Sequence, residues 1–159
     1  MPTSHTERFI HCHHDRVSSR LKKLILKSRT DLTDLLFCHI RDFVSRLHYW
    51  NITACSLLTD HGISGLLGRC TNLIALLASD TALGDYSLLH LYTGNLTILD
   101  VSRCQGVRGS SLDKVFASNS SIQELGLREI HVDDESLSQL GCELVKLDLL
   151  GTNSITEEL

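Results

Sequence analysis

Proline is nearly missing. Pro2 is the single one in 159 residues, so no later helix or strand is broken by it. Long apolar runs are missing too: the longest, Leu73 to Ala78, has six residues, far short of the ~20 that cross a bilayer. The segment from Met1 to Arg8 lacks the apolar stretch of a signal peptide. Positive charge is not in excess, since 15 basic and 19 acidic side chains leave a formal charge of −4. Phosphate binding draws on clustered Lys and Arg, so neither nucleic acid nor membrane is an expected partner. No GxSxG, HExxH, GxxxxGK[ST] or GxGxxG stretch occurs, so no catalytic residue, enzyme activity or cofactor is expected.

Six cysteines are present, without a CxxC pair. With no export signal they read as free thiols of a cytoplasmic or nuclear chain, and the Asn51, Asn95 and Asn119 triplets read as chance glycosylation matches. His11-Cys12-His13-His14-Asp15 is the one cluster of metal-ligand types. Adjacent ligands in a short polar leader do not converge tetrahedrally, and no second ligand pair follows at zinc-finger spacing, so no metal is expected. Residues 1–20 read as a polar, disordered leader.

What the chain has is leucine: 30 of them, none in residues 1–20. They recur in register. Counting from Leu47 as offset 1, apolar side chains fall at offsets 4 and 6 (Trp50, Ile52), with Cys55 at 9, Leu58-Thr59-Asp60 at 12 to 14 and Ile63 at 17. Leu66, Leu67, Cys70 and Asn72 follow at 20, 21, 24 and 26. The units from Leu21 and Leu96 repeat the spacing over 26 residues, those from Leu73 and Ile122 over 23 and 22, and a sixth begins at Leu144. Alternation around offsets 4 and 6 marks a strand buried on one face, and offsets 17, 20 and 21 share one helical face. Thr or Asp at 13 and 14 (Thr33, Asp34, Thr59, Asp60, Asp85, Asp133, Asp134) suits a helix N-cap.

A single unit cannot bury its own apolar layer, so stacking is required, with strands pairing in parallel on the inside and the wider helices outside. Residues 21–159 therefore read as one α/β solenoid that curves into a horseshoe. Leu147, Leu149 and Ile155 of the incomplete sixth unit are expected to lie uncovered, leaving the isolated chain prone to aggregate. Cys55, Cys70, Cys104 and Cys142 fall at repeat offsets and read as small buried residues, and Trp50 reads as core.

The units resemble leucine-rich repeats of the cysteine-containing subtype, L-x-x-L-x-L-x-x-C-x-x-[IL]-T-D-x-[GA]-[IL]-x-x-[IL]-x-x-x-C-x-N. Leu47 to Asn72 follows the pattern, with Trp50 at the usual Leu of offset 4, whereas the Leu96 unit has Arg108-Gly109 for Thr-Asp and Asn119 for the second Cys. The resemblance implies a right-handed leucine-rich-repeat solenoid and is similar in kind to F-box/LRR proteins, the substrate-recognition subunits of SCF-type ubiquitin ligases. Residues 1–20 contain no F-box, so ligase subunits would be met only through sequence outside this chain. The alternative is a scaffold or signalling module unrelated to ubiquitin.

Offsets 3, 5, 7 and 8 are free of the core and line the inner sheet. On this count the protein-binding candidates are Lys23, Lys27, Tyr49, Asn51, Thr53, Leu77, Asp80, Ile98, Asp100, Arg103, Glu124 and Arg128. Exposed Tyr49, Leu77 and Ile98 beside Asp80, Asp100 and Arg103 would form a mixed apolar and charged strip, with Tyr and Arg favoured anchors. Charge is polarised along the stack, +4 over residues 1–72 and −8 over 73–159, which would steer a partner of opposite gradient unless these are simply solvated surfaces.

Overall fold

The computed structural model describes residues 20–91 and 93–152. The expected leader, residues 1–20, lies outside these residues up to position 19, as do the His11–Asp15 cluster and Ile155. Six three-residue strands run in parallel in sequence order: β1 (Lys23–Ile25), β2 (Tyr49–Asn51), β3 (Ala75–Leu77), β4 (Ile98–Asp100), β5 (Glu124–Gly126) and β6 (Lys146–Asp148). The register joins Lys23, Tyr49, Ala75, Ile98, Glu124 and Lys146 into one row across the sheet. Each strand is followed by a turn and a return through the outer layer, so the fold is a leucine-rich-repeat solenoid.

The outer layer is α1 (Asp34–Cys38), α2 (Arg41–Val44), α3 (Asp60–Leu67), α4 (Asp85–Leu88), α5 (Gly109–Ser118) and α6 (Asp134–Leu137). One helix per unit is expected from the sequence, but the first unit has two. At His39 and Ile40 the amides bond back three residues, to Leu36 and Phe37, and this tighter winding splits the helix. The 23- and 22-residue units keep only one-turn helices, α4 and α6, so length is lost from the outer layer and not from the strands. Between the layers lies one continuous core. Leu47, Trp50, Ile52, Leu73, Leu76, Leu96, Leu99, Val101 and Leu127 are all fully buried. Trp50 packs at a tilt on Phe37, ring centroids 5.7 Å apart, though its indole N–H meets no acceptor among the described residues. At the last described strand Leu147 is 39 % exposed and Val145 83 %, while Leu149 is half-buried against the core.

Backbone pairing extends past the short strands. The N–H at offset 8 of each unit donates to the offset-7 carbonyl of the next: Ser28 to Thr53, Ala54 to Ser79, Asp80 to Ser102, Arg103 to Arg128 and Glu129 to Leu150. All six offset-8 residues, Ser28, Ala54, Asp80, Arg103, Glu129 and Gly151, hold φ between 54° and 75°. This left-handed step turns the chain out of the sheet toward the helices, and five of the six take it without being glycine, at roughly 1–2 kcal/mol each.

Adjacent outer turns are tied by aspartates. Asp34, Asp60 and Asp85 begin their own helices, but each carboxylate accepts from the residue that caps the next helix. Asp34 takes the Thr59 N–H (2.9 Å) and hydroxyl (2.5 Å). Asp60 takes the N–H groups of Gly84 (2.9 Å) and Ser87 (3.0 Å), and Asp85 takes the Arg108 N–H (2.8 Å) and the Ser111 hydroxyl (2.6 Å). The expected capping within one unit is seen at Thr59 and Asp133, which accept from Gly62 and Ser136, whereas Thr33 makes no such bond. A side chain at Gly62 would overlap the Asp34 carboxylate, which accounts for the glycine there. The chain of ties ends where Gly109 replaces the aspartate.

Two thiols tie neighbouring units as well. Cys55 donates to the Leu26 carbonyl (3.0 Å) and Cys104 to that of Ala78 (3.1 Å). Burial pushes both thiols up in pKa and pushes Cys70 up to about 12, so these are poor nucleophiles. The reading of Cys142 as buried is corrected: it is exposed, because the short last complete unit places it in the turn beyond the one-turn α6.

Asp60→Ala leaves the Gly84 and Ser87 N–H groups without their acceptor and is expected to lower urea-unfolding stability by about 2–3 kcal/mol, with Asp60→Asn recovering part of it. Ala54→Gly relieves the left-handed strain and is expected to raise stability by roughly 0.5–1 kcal/mol, after the entropy that glycine adds to the unfolded chain is subtracted. Ser56→Gly, at a position outside the left-handed set, should lower it.

Candidate functional site

Side chains at offsets 3, 5 and 7 leave the inner sheet on the side away from the core. At the first strands the face is cationic and partly apolar: Lys23 and Lys27 are exposed, and the Lys23 ammonium lies 4.4 Å from the centre of the half-buried Tyr49 ring, a cation–π contact. Ile25 is 55 % exposed beside them. Thr53 is half-buried. Asn51 is only 8 % exposed and its side-chain oxygen accepts the Thr53 N–H at 3.0 Å, so it braces the strand end and offers little surface. Ala75, Ser79 and Ser102 are likewise covered. Tyr49, Leu77 and Ile98, expected to be exposed, are half-buried, because parallel pairing sets neighbouring rungs about 4.8 Å apart and their side chains shield one another.

Charge gathers from β3 onward. Arg103 grips Asp80 through two bonds, Nε to Oδ1 at 2.6 Å and Nη2 to Oδ2 at 2.9 Å, and its other nitrogen lies 3.6 Å from Glu129. All three stand at offset 8, so the left-handed step that turns the chain also aligns an acid–base–acid row along the rim. Arg128 donates to Asp148 (2.6 Å), and Lys146 approaches Glu124 (3.5 Å). The Arg103 bond holds Asp80 below the usual carboxylate range, and the Arg128 bond does the same for Asp148. Asp133 is lowered by its bonds to Ser136.

Arg103, Arg128, Lys146, Glu124 and Asp148 line an open depression of about 300 Å³ together with Leu77, Ile98, Asp100 and Gly126. The sequence reasoning named Leu77, Ile98, Asp100, Arg103, Glu124 and Arg128 separately, and the fold brings all six to this one place. Gly126, whose missing side chain leaves room for the Asp100 carboxylate, and Lys146 and Asp148, which complete the rim, stand at inner-face offsets as well but were not among the binding candidates. The equal spacing of their offsets was the available signal. Lys23, Lys27, Tyr49 and Thr53 stand apart on the first strands. Among the described residues no three His, Cys, Asp or Glu side chains converge as a metal site.

No family model matches the chain. Over 150 residues it is 29 % identical to the BTB/POZ domain-containing protein FBL11 of Arabidopsis thaliana, a match that takes in 84 % of this chain and 16 % of that protein. The chain thus spans about one sixth of the length of that curated relative. Among solved structures, a tropomodulin C-terminal domain from Caenorhabditis elegans superposes with a TM-score of 0.62 at 11 % identity, covering 86 % of this chain and 89 % of that one. Leiomodin-1 actin-binding site 2 superposes with a TM-score of 0.58 at 10 % identity, over 87 % and 86 %. At that identity the likeness is one of fold.

The lowered carboxylates give stability a pH dependence. A depressed folded-state pKa stabilises the fold above the unfolded value and loses that contribution as pH falls through the folded one. The urea midpoint should therefore be level near neutrality and fall below about pH 4, the ordinary aspartate range. Asp80→Asn and Asp148→Asn should each lower the neutral midpoint slightly and flatten part of the acid decline.

Proposed function

We propose that this chain is a protein-binding leucine-rich-repeat module that recognises substrates for an SCF-type or related cullin-based ubiquitin ligase. The observation that carries the binding role is the inner face itself: Leu77 and Ile98 lie within a ring of charged side chains around an open depression, away from the core. Apolar patches rimmed by polar groups mark interaction sites, and repeat solenoids use their inner surfaces in this way. The ligase role draws its support from the resemblance of the repeats to F-box/LRR proteins and from the likeness to a relative named for a BTB/POZ domain. Docking to the ligase would fall to sequence outside residues 21–159. A non-catalytic role agrees with the raised pKa values of Cys55, Cys70 and Cys104, and a cytoplasmic or nuclear site would keep such thiols reduced.

The test is photo-crosslinking in cells with the longest product of the gene, carrying a benzoylphenylalanine at Ile98 on the inner face or at Tyr86 on the helical face. The expected result is an adduct with a client protein from Ile98 and not Tyr86, with a cullin subunit co-purifying and the client's half-life lengthening when the product is removed. Adducts from Ile98 without any cullin would favour the scaffold reading. Adducts from Tyr86 alone would remove the inner face from consideration.

A further inference from the structure

The inner-face depression has a charge count that does not close. Three lining cations are engaged: Arg103 by Asp80 and Glu129, neither of which lines the depression, Arg128 by Asp148, and Lys146 by Glu124. Asp100 is the one lining charge without an ion-pair partner among the described residues. Its Oδ1 accepts the Ser102 N–H at 3.0 Å and no cation reaches it.

Position reinforces this. In the offset-5 row Asp100 pairs with Gly126, and Gly126 with Asp148. A Cβ at Gly126 would overlap the Asp100 carboxylate and come within 3.1 Å of Ser102 Oγ, so the carboxylate leans into the space that the glycine leaves. The backbones of the two aspartates are about two strand spacings apart, roughly 10 Å, and the Asp100 carboxylate lies over the rung between them. Half-buried Leu77 and Ile98 wall the same space with hydrocarbon. A volume of about 300 Å³ stands at the bottom of the range for small-ligand pockets, which suits one long side chain. The surrounding half of the chain, residues 73–159, carries −8 and draws positive charge toward it.

Resting on the binding role proposed above, we infer that the depression receives a basic side chain of the partner protein. The cationic head meets the Asp100 carboxylate above Gly126, and the methylene stem lies along Leu77 and Ile98, as long basic side chains bury their stems while pairing their heads.

The test is a chemical-shift titration of the ¹⁵N-labelled 159-residue chain with Nα-acetyl-arginine methylamide, with its lysine counterpart, and with the neutral norleucine analogue. Arginine or lysine should produce saturating shifts at the amides of Ile98, Asp100 and Gly126 with a dissociation constant on the order of 1 mM, weakening as salt is raised. The norleucine analogue should bind at least about fivefold more weakly, and Asp100→Asn should weaken the basic ligands by a similar factor, the scale of one exposed ion pair. Glu135→Gln, on the outer helix α6 and away from the depression, should leave them within about twofold. Gly126→Ala should abolish the shifts, and if that variant does not fold, the surface substitution Asp100→Asn decides alone. Equal shifts from norleucine, unchanged affinity in Asp100→Asn, or shifts confined to other strands would each overturn the inference. A client still crosslinked from Ile98 with undiminished yield by Asp100→Asn would overturn the pocket assignment while leaving the binding role standing. Loss of every inner-face adduct in the unmutated product would remove the role beneath it.

Discussion

Everything in this structure depends on each unit delivering its backbone to the next in register. The pairing runs from the offset-2 carbonyl, which receives two N–H groups of the following unit (His48 and Tyr49 on Lys22, Ile74 and Ala75 on His48), to the offset-8 N–H. Buried main-chain polar groups have to be paired, so this stretch cannot shift by a residue without exposing the Leu row and orphaning the ladder together. The outer layer is under no such demand. It therefore absorbs the variation in unit length, from the ten-residue α5 to the four-residue α4 and α6.

The same constraint sorts what could be read from the sequence. The apolar offsets were legible because burial acts on residue type: Leu, Ile, Val, Cys and Trp recur wherever the side chain faces the core. The left-handed step at offset 8 was not, because backbone geometry acts there on residues as unlike as Ser28, Ala54, Asp80, Arg103 and Glu129, and register outweighs local preference. Asp34, Asp60 and Asp85 were read as caps of their own helices because capping reasoning looks three residues ahead. Their partners lie about one unit ahead, at Thr59, Gly84 and Arg108, a distance at which only the repeat brings residues together. Glycines at Gly62 and Gly84, beside the two aspartate carboxylates, were the sequence trace of that closeness.

The candidate face divides in the same way. Offsets 3, 5, 7 and 8 named the residues that leave the core, but an offset says where a side chain points and not what it meets. Asn51 points inward and is used by the Thr53 N–H, and Tyr49 is capped by Lys23. Opposite charges at one offset in adjacent units, Asp80 with Arg103 and Arg103 with Glu129, could have been paired on paper, because equal offsets in a stack are neighbours.

Such pairing bears on how a solenoid of this kind can be specific. Exposed ion pairs contribute little to stability, yet each removes two charges from those a partner could engage. With Arg103, Arg128 and Lys146 already answered within the chain, the inner face is less polar in effect than its composition suggests. From β3 onward, what remains to discriminate between partners is the apolar lining of Leu77 and Ile98 and the charge of Asp100, which no cation of the described residues meets, beside the strand position where a side chain is missing. On these strands selectivity would then come from the place where the repetition lapses, since the neighbouring charged rungs pair with one another.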